Sequence, residues 1–291
     1  MGTPSSIIPE QELLEDLRTS LQATLEQDLK DLPLLPKVAN QVLTISGDPN
    51  ADVGKLSSLI QQDQALAGQI LRIANSPAYL PRSPIVSLQQ AIAWLGLNML
   101  SGIAFSISVQ SGVFNMKGYE KPVKDLWRHA LTSGLFGKEI ARKIRHNVEN
   151  AFLCGLLHAI GKPVVLHTLI GMKKLHNAPL PWTVIEQLMQ DYHVQMGTAI
   201  AQSWKLPEPV CEAILLYQDH TYTQATSPTK GAIITCLADH MATFHLDPDL
   251  ISEDTLRSLP VVQDLNFYPE DMNALLALKD TIHATVECMI L

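Results

Sequence analysis

"GLLHAIGKPVVLH", Gly155 to His167, is the stretch on which the reading of the fold turns. Its first half extends an apolar run that begins at Val148, and the two together predict a helix over about 148–160, stopped by Gly161 and Pro163. His158 is the one imidazole in that run. The next residue, Ala159, offers only a methyl group where a carboxylate would complete a pair of metal-capable side chains.

Working outward from this stretch, helical periodicity dominates and no segment alternates apolar and polar residues as a half-buried strand would. The expected class is all-α. An amphipathic helix is predicted from about Pro9 to Lys30, with Leu13, Leu14, Leu17, Leu21, Leu25 and Leu29 on one stripe. The proline-rich "DLPLLPKV" ends it, and a short helix follows over Lys37 to Ser46. "DVGKLSSLIQQDQALAGQILRIANS" reads as two helices meeting near Asp63. Ser87 and Gln90 form a capping-box signature that opens a run with no Asp, Glu, Lys or Arg between Arg82 and Lys117. Several amide and hydroxyl side chains interrupt this run, so it is expected to be a buried helix pair rather than a membrane span.

The second half is predicted to start near Lys121, with Pro122 in a first helical turn and Leu126, Trp127, Ala130, Leu131, Leu135 and Ile140 as core positions. After "PWTVIEQLMQDYH", "MGTAIAQSWKL", "PEPVCEAILLYQDH" and "TKGAIITCLADHMATFH" are expected as three further helices, placing His193 at a helix start and His220 at a helix end. A last helix is expected over Pro269 to Met289.

Composition narrows the function. The chain has 291 residues, 46% of them hydrophobic and 17% charged, enough apolar material for a substantial core. A formal charge of -8 argues against broad nucleic-acid binding, which depends on Lys and Arg neutralising phosphates. Cysteines at 154, 211, 236 and 288 form no CxxC pair, which suits a reducing cytoplasm, and no secretory signal is read at the start.

Five metal-capable residues lie on or beside these helices: His129, His158, His193, His220 and Asp239. Rigid helices can deliver such side chains to one interior point. His146, His167, His176, His240, His245 and His283 have no spacing that singles them out. Taken in order, "LPLLPKVANQVLTI", "LIQQDQALAGQILRIANS", "PIVSLQQAIAWLGL", "LWRHAL", "AFLCGLLHAIGK", "HVQMGTAIAQSWKLPEPVCEAI" and "LADHMA" resemble the HDOD group, output-domain relatives of the HD metal-dependent phosphohydrolases. The resemblance covers roughly Leu32 to Leu246. It implies a multi-helix HD-like bundle with a packed N-terminal helical subdomain. The expected divisions are an N-terminal amphipathic helix (1–31), an N-terminal helical half (32–118), an HD-like half (119–246) and a C-terminal helical extension (247–291).

The resemblance also implies that His129, His158 paired with residue 159, and Asp239 occupy metal-ligand positions, with His193 and His220 matching the two further histidines of dinuclear relatives. The family's paired Asp, which bridges two metals, is replaced by Ala159. Gln64 replaces the family's proline after Asp63, and the Gly-Tyr-Pro signature of relatives that degrade cyclic dinucleotides is missing from "YQDHTYTQATSPTKG". Lys162 keeps a position that related enzymes use near substrate phosphate, against the simpler reading of a solvated lysine at a helix end. Asn75 and Ser76 match the family signature, and are read as a helix stop or as a contact between the two halves.

Three functions remain open at this stage: a noncatalytic cytoplasmic signalling module working through protein partners, a metal-dependent phosphohydrolase with an altered site, and a nucleotide-binding sensor. No cofactor is assigned. A divalent transition metal on His129, His158 and Asp239 stays open, because two imidazoles and a carboxylate suit such ions.

Overall fold

A computed structural model describes residues 10–26, 33–46, 53–76, 79–176, 180–218, 221–226 and 230–290. Among these residues there is no strand, and the chain is all-α.

The N-terminal part begins with α1 (Glu10–Glu26), followed by α2 (Lys37–Ser46), α3 (Val53–Gln61), α4 (Gln64–Ala74), α5 (Leu88–Leu95) and α6 (Leu97–Val113). The leucine stripe of α1 buries Leu17 and Leu21, whereas Leu29 lies outside the described residues. Asp63 separates α3 from α4 by capping α4: its side chain accepts a hydrogen bond from the Leu66 N–H at 3.0 Å. Ser87 does the same for α5, accepting from the Gln90 N–H, while the Gln90 side chain reaches back to the Val86 N–H. Gly96, at φ 81°, then breaks the uncharged run, and α5 and α6 meet at a bend of 116°. Helix α6 is apolar all round; its hydroxyls at Ser101, Ser106 and Ser108 bond back to carbonyls of the preceding turn, so they enter the core satisfied.

The second part is built on α7 (Glu120–Lys143), which buries Trp127, Ala130, Leu131, Leu135 and Ile140 and packs against α8 (Val148–Leu157). The opening stretch departs from expectation here. The helix ends at Leu157 rather than Ile160, and Gly161 and Pro163 begin a new helix, α9 (Gly161–His176), instead of stopping the old one. Pro163 is tolerated because the first-turn N–H groups have no intrahelical acceptor to lose. The two glycines of the stretch are sites of close backbone approach. At Gly155 an added Cβ would stand 2.6 Å from the Ser133 carbonyl oxygen of α7, and at Gly161 it would stand 1.8 Å from the His193 carbonyl oxygen.

His193 belongs to α10 (Trp182–Ser203), a continuous helix whose N-cap position is Pro181. The sequence predicts a division here, with His193 at a helix start; the structure has none. The polar face around Gln190 and Asp191 and the glycine at 197 resemble a break, but Gly197 is where α10 meets Gly161. Then come α11 (Glu208–Leu216) and α12 (Gly231–Leu246). Four helices close the chain: α13 (Glu253–Ser258), α14 (Pro260–Asp264), α15 (Pro269–Leu276) and α16 (Lys279–Met289). The expected single helix over 269–289 is therefore interrupted at Ala277 and Leu278.

Tertiary ion pairs and hydrogen bonds join these elements. Arg18 of α1 pairs with Asp191 of α10 at 2.8 Å, so the first helix docks on the second half of the chain. Lys143 of α7 pairs with Asp271 of α15 at 2.7 Å, and Arg128 of α7 with Glu287 of α16 at 3.0 Å. Arg72 of α4 donates to the Cys288 carbonyl at 3.2 Å, tying α16 to the N-terminal part. The stretch Val148–Met172 is long and apolar enough to cross a bilayer by composition, and neighbouring helices bury 67% of its most apolar window.

The crossing of α9 and α10 leads to a prediction. Gly161→Ala is expected to lower unfolding stability by about 3 kcal/mol, because backbone rather than a flexible side chain occupies the Cβ position. Gly171→Ala, in the same helix and with no neighbour within 4 Å, should instead leave stability unchanged or raise it by up to about 1 kcal/mol. Urea melts of both variants beside the wild type would check this contrast.

Candidate metal centre

Three helical elements bring His129, His158 and Asp239 together. His129 lies on α7, His158 caps the C-terminus of α8, and Asp239 lies on α12. One nitrogen of each imidazole and one carboxylate oxygen lie within 4.8 Å of one another. Asp239 Oδ1 is 2.7 Å from His129 Nε2 and 3.0 Å from His158 Nε2. Burial pushes the Asp239 carboxyl towards its neutral form, but the hydrogen bonds from His129 and His158 outweigh this and hold it well below the usual carboxylate range.

The two ring nitrogens of His158 face different partners. Its Nδ1 is 2.6 Å from the Gly155 carbonyl oxygen, which can only accept, so Nδ1 carries a proton. In a neutral ring Nε2 would then turn a lone pair towards the carboxylate of Asp239. The contact is attractive in two states: an imidazolium donating to Asp239, or a cation held between them. A backbone carbonyl on the distal nitrogen is also the arrangement that orients a metal-bound imidazole.

His193 stands apart from this triad. Its Nδ1 donates to the Gln190 carbonyl, and its Nε2 meets the Tyr217 hydroxyl at 3.1 Å and the Gln218 amide at 3.2 Å. The Tyr217 ring is edge-on to both His158 and His193, with centroid separations of 4.7 and 6.3 Å, and so lies between the triad and the fourth imidazole. Burial, with repulsion from Lys162 and His158, outweighs the Gln190 hydrogen bond and lowers the His193 pKa below that of an ordinary imidazole. Burial and the charge of Asp239 raise Tyr217, keeping it a phenol that donates to His193. Sequence reasoning missed Tyr217 and Gln218; an aromatic at the end of an apolar helix carries no mark of its role.

The other expected residues are distributed as follows. Ala159 sits in the turn between α8 and α9, where its carbonyl accepts from the Lys162 N–H. Lys162 is in the first turn of α9, so the reading of a lysine stabilised at a helix C-terminus is corrected: the macrodipole at its position is positive. His220 lies outside the described residues. The set therefore fits one metal ion on His129, His158 and Asp239. Among the described residues it does not fit two, since Ala159 supplies no oxygen and the ring nitrogen of His193 is already hydrogen-bonded.

Asn75 and Ser76 lie away from the triad, at the end of α4. The Asn75 amide donates to the Leu71 and Ile85 carbonyls and its oxygen accepts from the Ile85 N–H, each at 2.8 Å. One side chain thus pairs with both backbone groups of Ile85 and closes the 76–85 connection within the N-terminal part. Ser76 is buried, and its carbonyl accepts from the N–H groups of Tyr79 and Leu80.

An all-α bundle that brings His129, His158 and Asp239 together defines the class as HD-like. The HDOD domain family matches residues 32–220, and the chain belongs to that family. An uncharacterized protein of Treponema pallidum (strain Nichols) is 27% identical over 263 residues, covering 87% of this chain and 50% of the relative, so the chain spans about half the length of that relative. Among solved structures, an HDOD domain protein of unknown function from Geobacter sulfurreducens superposes with a TM-score of 0.69 at 21% identity, covering 95% of this chain and 96% of the other. A candidate metal-dependent phosphohydrolase from Shewanella amazonensis SB2B gives 0.70 at 21% identity, covering 96% and 99%. A candidate signal transduction protein from Marinobacter aquaeolei VT8 gives 0.68 at 21%, covering 95% and 66%.

The signature asparagine can be tested directly. Asn75→Ala should cost about 1 kcal/mol and speed amide exchange at Ile85, whose N–H loses its acceptor. Asn75→Asp keeps that acceptor but sets a carboxylate against the Leu71 and Ile85 carbonyls, and should restore no stability relative to the alanine variant.

Proposed function

We propose that this chain is a noncatalytic, cytoplasmic signalling module of the HDOD type that acts through protein partners. The observation that carries the reading is Ala159. Activating a shared water needs two divalent ions about 3.5–4 Å apart, which an anionic bridge must hold. No bridging side chain is present at that position, and the engagement of His193 by Tyr217 and Gln218 removes a further ligand. The described residues form a polar centre: a half-buried carboxylate in hydrogen-bond contact with two imidazoles, which links α7, the end of α8 and α12. Such a core preserves the shape of the bundle, and shape is what a partner reads.

Metal analysis and phosphodiester hydrolysis, measured on the wild type and on Ala159→Asp, test this reading. The wild type is expected to show no cleavage of bis-p-nitrophenyl phosphate above a chelated control, with manganese or zinc supplied. The variant is expected to hold more metal than the wild type, because an added carboxylate meets ligands already in place. Wild-type turnover that requires metal would overturn the proposal.

A further inference from the structure

Met99 stands half-buried in the first turn of α6, and two hydrogen-bond donors are directed at its sulfur. The Tyr79 hydroxyl is 3.6 Å from Sδ, and Lys138 Nζ is 3.9 Å from it. From this arrangement we infer that Met99 is a site of reversible oxidation, a thioether whose sulfoxide has its hydrogen-bond partners already in place.

The two donors are the unusual feature. A thioether is a weak acceptor, yet it is the hydrogen-bond partner that both groups have among the described residues. The carboxylates whose charge reaches Lys138 are engaged elsewhere: Glu139 with Arg142, and Glu149 with the Asn98 amide at 3.0 Å. Burial lowers the Lys138 pKa, with Arg142 assisting and Glu139 and Glu149 opposing. Burial also pushes the Tyr79 hydroxyl up to about 12, so it stays a phenol that donates. The Tyr79 backbone is fixed on both sides: its N–H donates to the Ser76 carbonyl at 3.0 Å, and its carbonyl accepts from Trp94 Nε1 at 3.1 Å.

The oxidant is a peroxide. The sulfur lone pair attacks one peroxide oxygen, the S–O bond forms as the O–O bond breaks, and the departing hydroxide takes a proton from the Lys138 ammonium to leave as water. The hydroxyl left on sulfur then returns its proton to the Lys138 amine. One thioether and one hydrogen peroxide become one sulfoxide and one water, sulfur losing two electrons. A proton donor beside the leaving oxygen assists such a transfer as a general acid. The new oxygen replaces a weak acceptor with a strong one at the meeting point of Tyr79 and Lys138. Met99 belongs to the N-terminal part and Lys138 to α7, so oxidation strengthens a contact between the two parts, whereas a sulfoxide in an apolar core disrupts its packing. Enzymatic reduction restores the thioether. This inference is independent of the signalling reading.

Met172 provides the internal reference: it is half-buried like Met99, but packs on the apolar core with no donor at its sulfur among the described residues. The intact chain is treated with limiting hydrogen peroxide, and fragment mass spectra of its peptides locate the added oxygen. Met99 is expected to oxidise at least about threefold faster than Met172, while the fully buried Met196 and Met241 stay reduced. Lys138→Gln and Tyr79→Phe should bring the Met99 rate down towards that of Met172. Equal rates at Met99 and Met172 in the wild type, or a ratio unchanged in both variants, would overturn the inference. Wild-type chain oxidised at Met99 alone should unfold at the same urea concentration as untreated chain or a higher one. A lower midpoint would equally overturn it, and this comparison requires no variant to fold.

Discussion

The structure depends on two places where helices touch through their backbones. Gly155 lets α8 lie against α7 at Ser133 and Gly134, and Gly161 lets α9 cross α10 at His193 and Gly197. Between them lie His158, Ala159 and Ile160, so the turn that presents His158 is held from both sides. A side chain at either glycine would have to displace a carbonyl or amide rather than rotate a neighbour. The position of His158 relative to α7 and α12 therefore follows from backbone packing, and the metal-capable triad inherits its geometry from two missing methyl groups.

The three ligand-capable side chains also satisfy one another. The carboxylate of Asp239 would be costly to bury alone, but two imidazoles converge on a single oxygen and meet that cost. His158 is oriented by the Gly155 carbonyl, a backbone group that any sequence at that position would supply. Ala159 takes no part in these contacts, and none of the three side chains depends on it for a partner.

Much of the fold was legible because it rested on local rules. Asp63 and Ser87 announce helix starts through capping, and the apolar positions of α7 keep a helical period over its whole length. The triad emerged from the family resemblance, not from spacing, since His129 and Asp239 are far apart in the chain. Failures occurred where a residue answers to a distant neighbour. Gly161 looks like a stop locally, and becomes a start only when His193 is known to lie against it. The role of Tyr217 depends on two imidazoles from other elements.

Helix α7 connects these parts. His129 and Arg128 are consecutive, so they project about 100° apart around the helix axis. One reaches Asp239 of α12 and the other reaches Glu287 of α16, which places the triad and the contact with α16 on adjacent faces of one rigid element. Lys143, near the far end of the same helix, holds α15 through Asp271. A displacement of α16 must therefore either break its ion pair with α7 or move the helix that positions His129. In the proposed signalling role, this gives the C-terminal helices a direct mechanical connection to the His129 centre, one that runs through a single helix and needs no chemistry at the site itself.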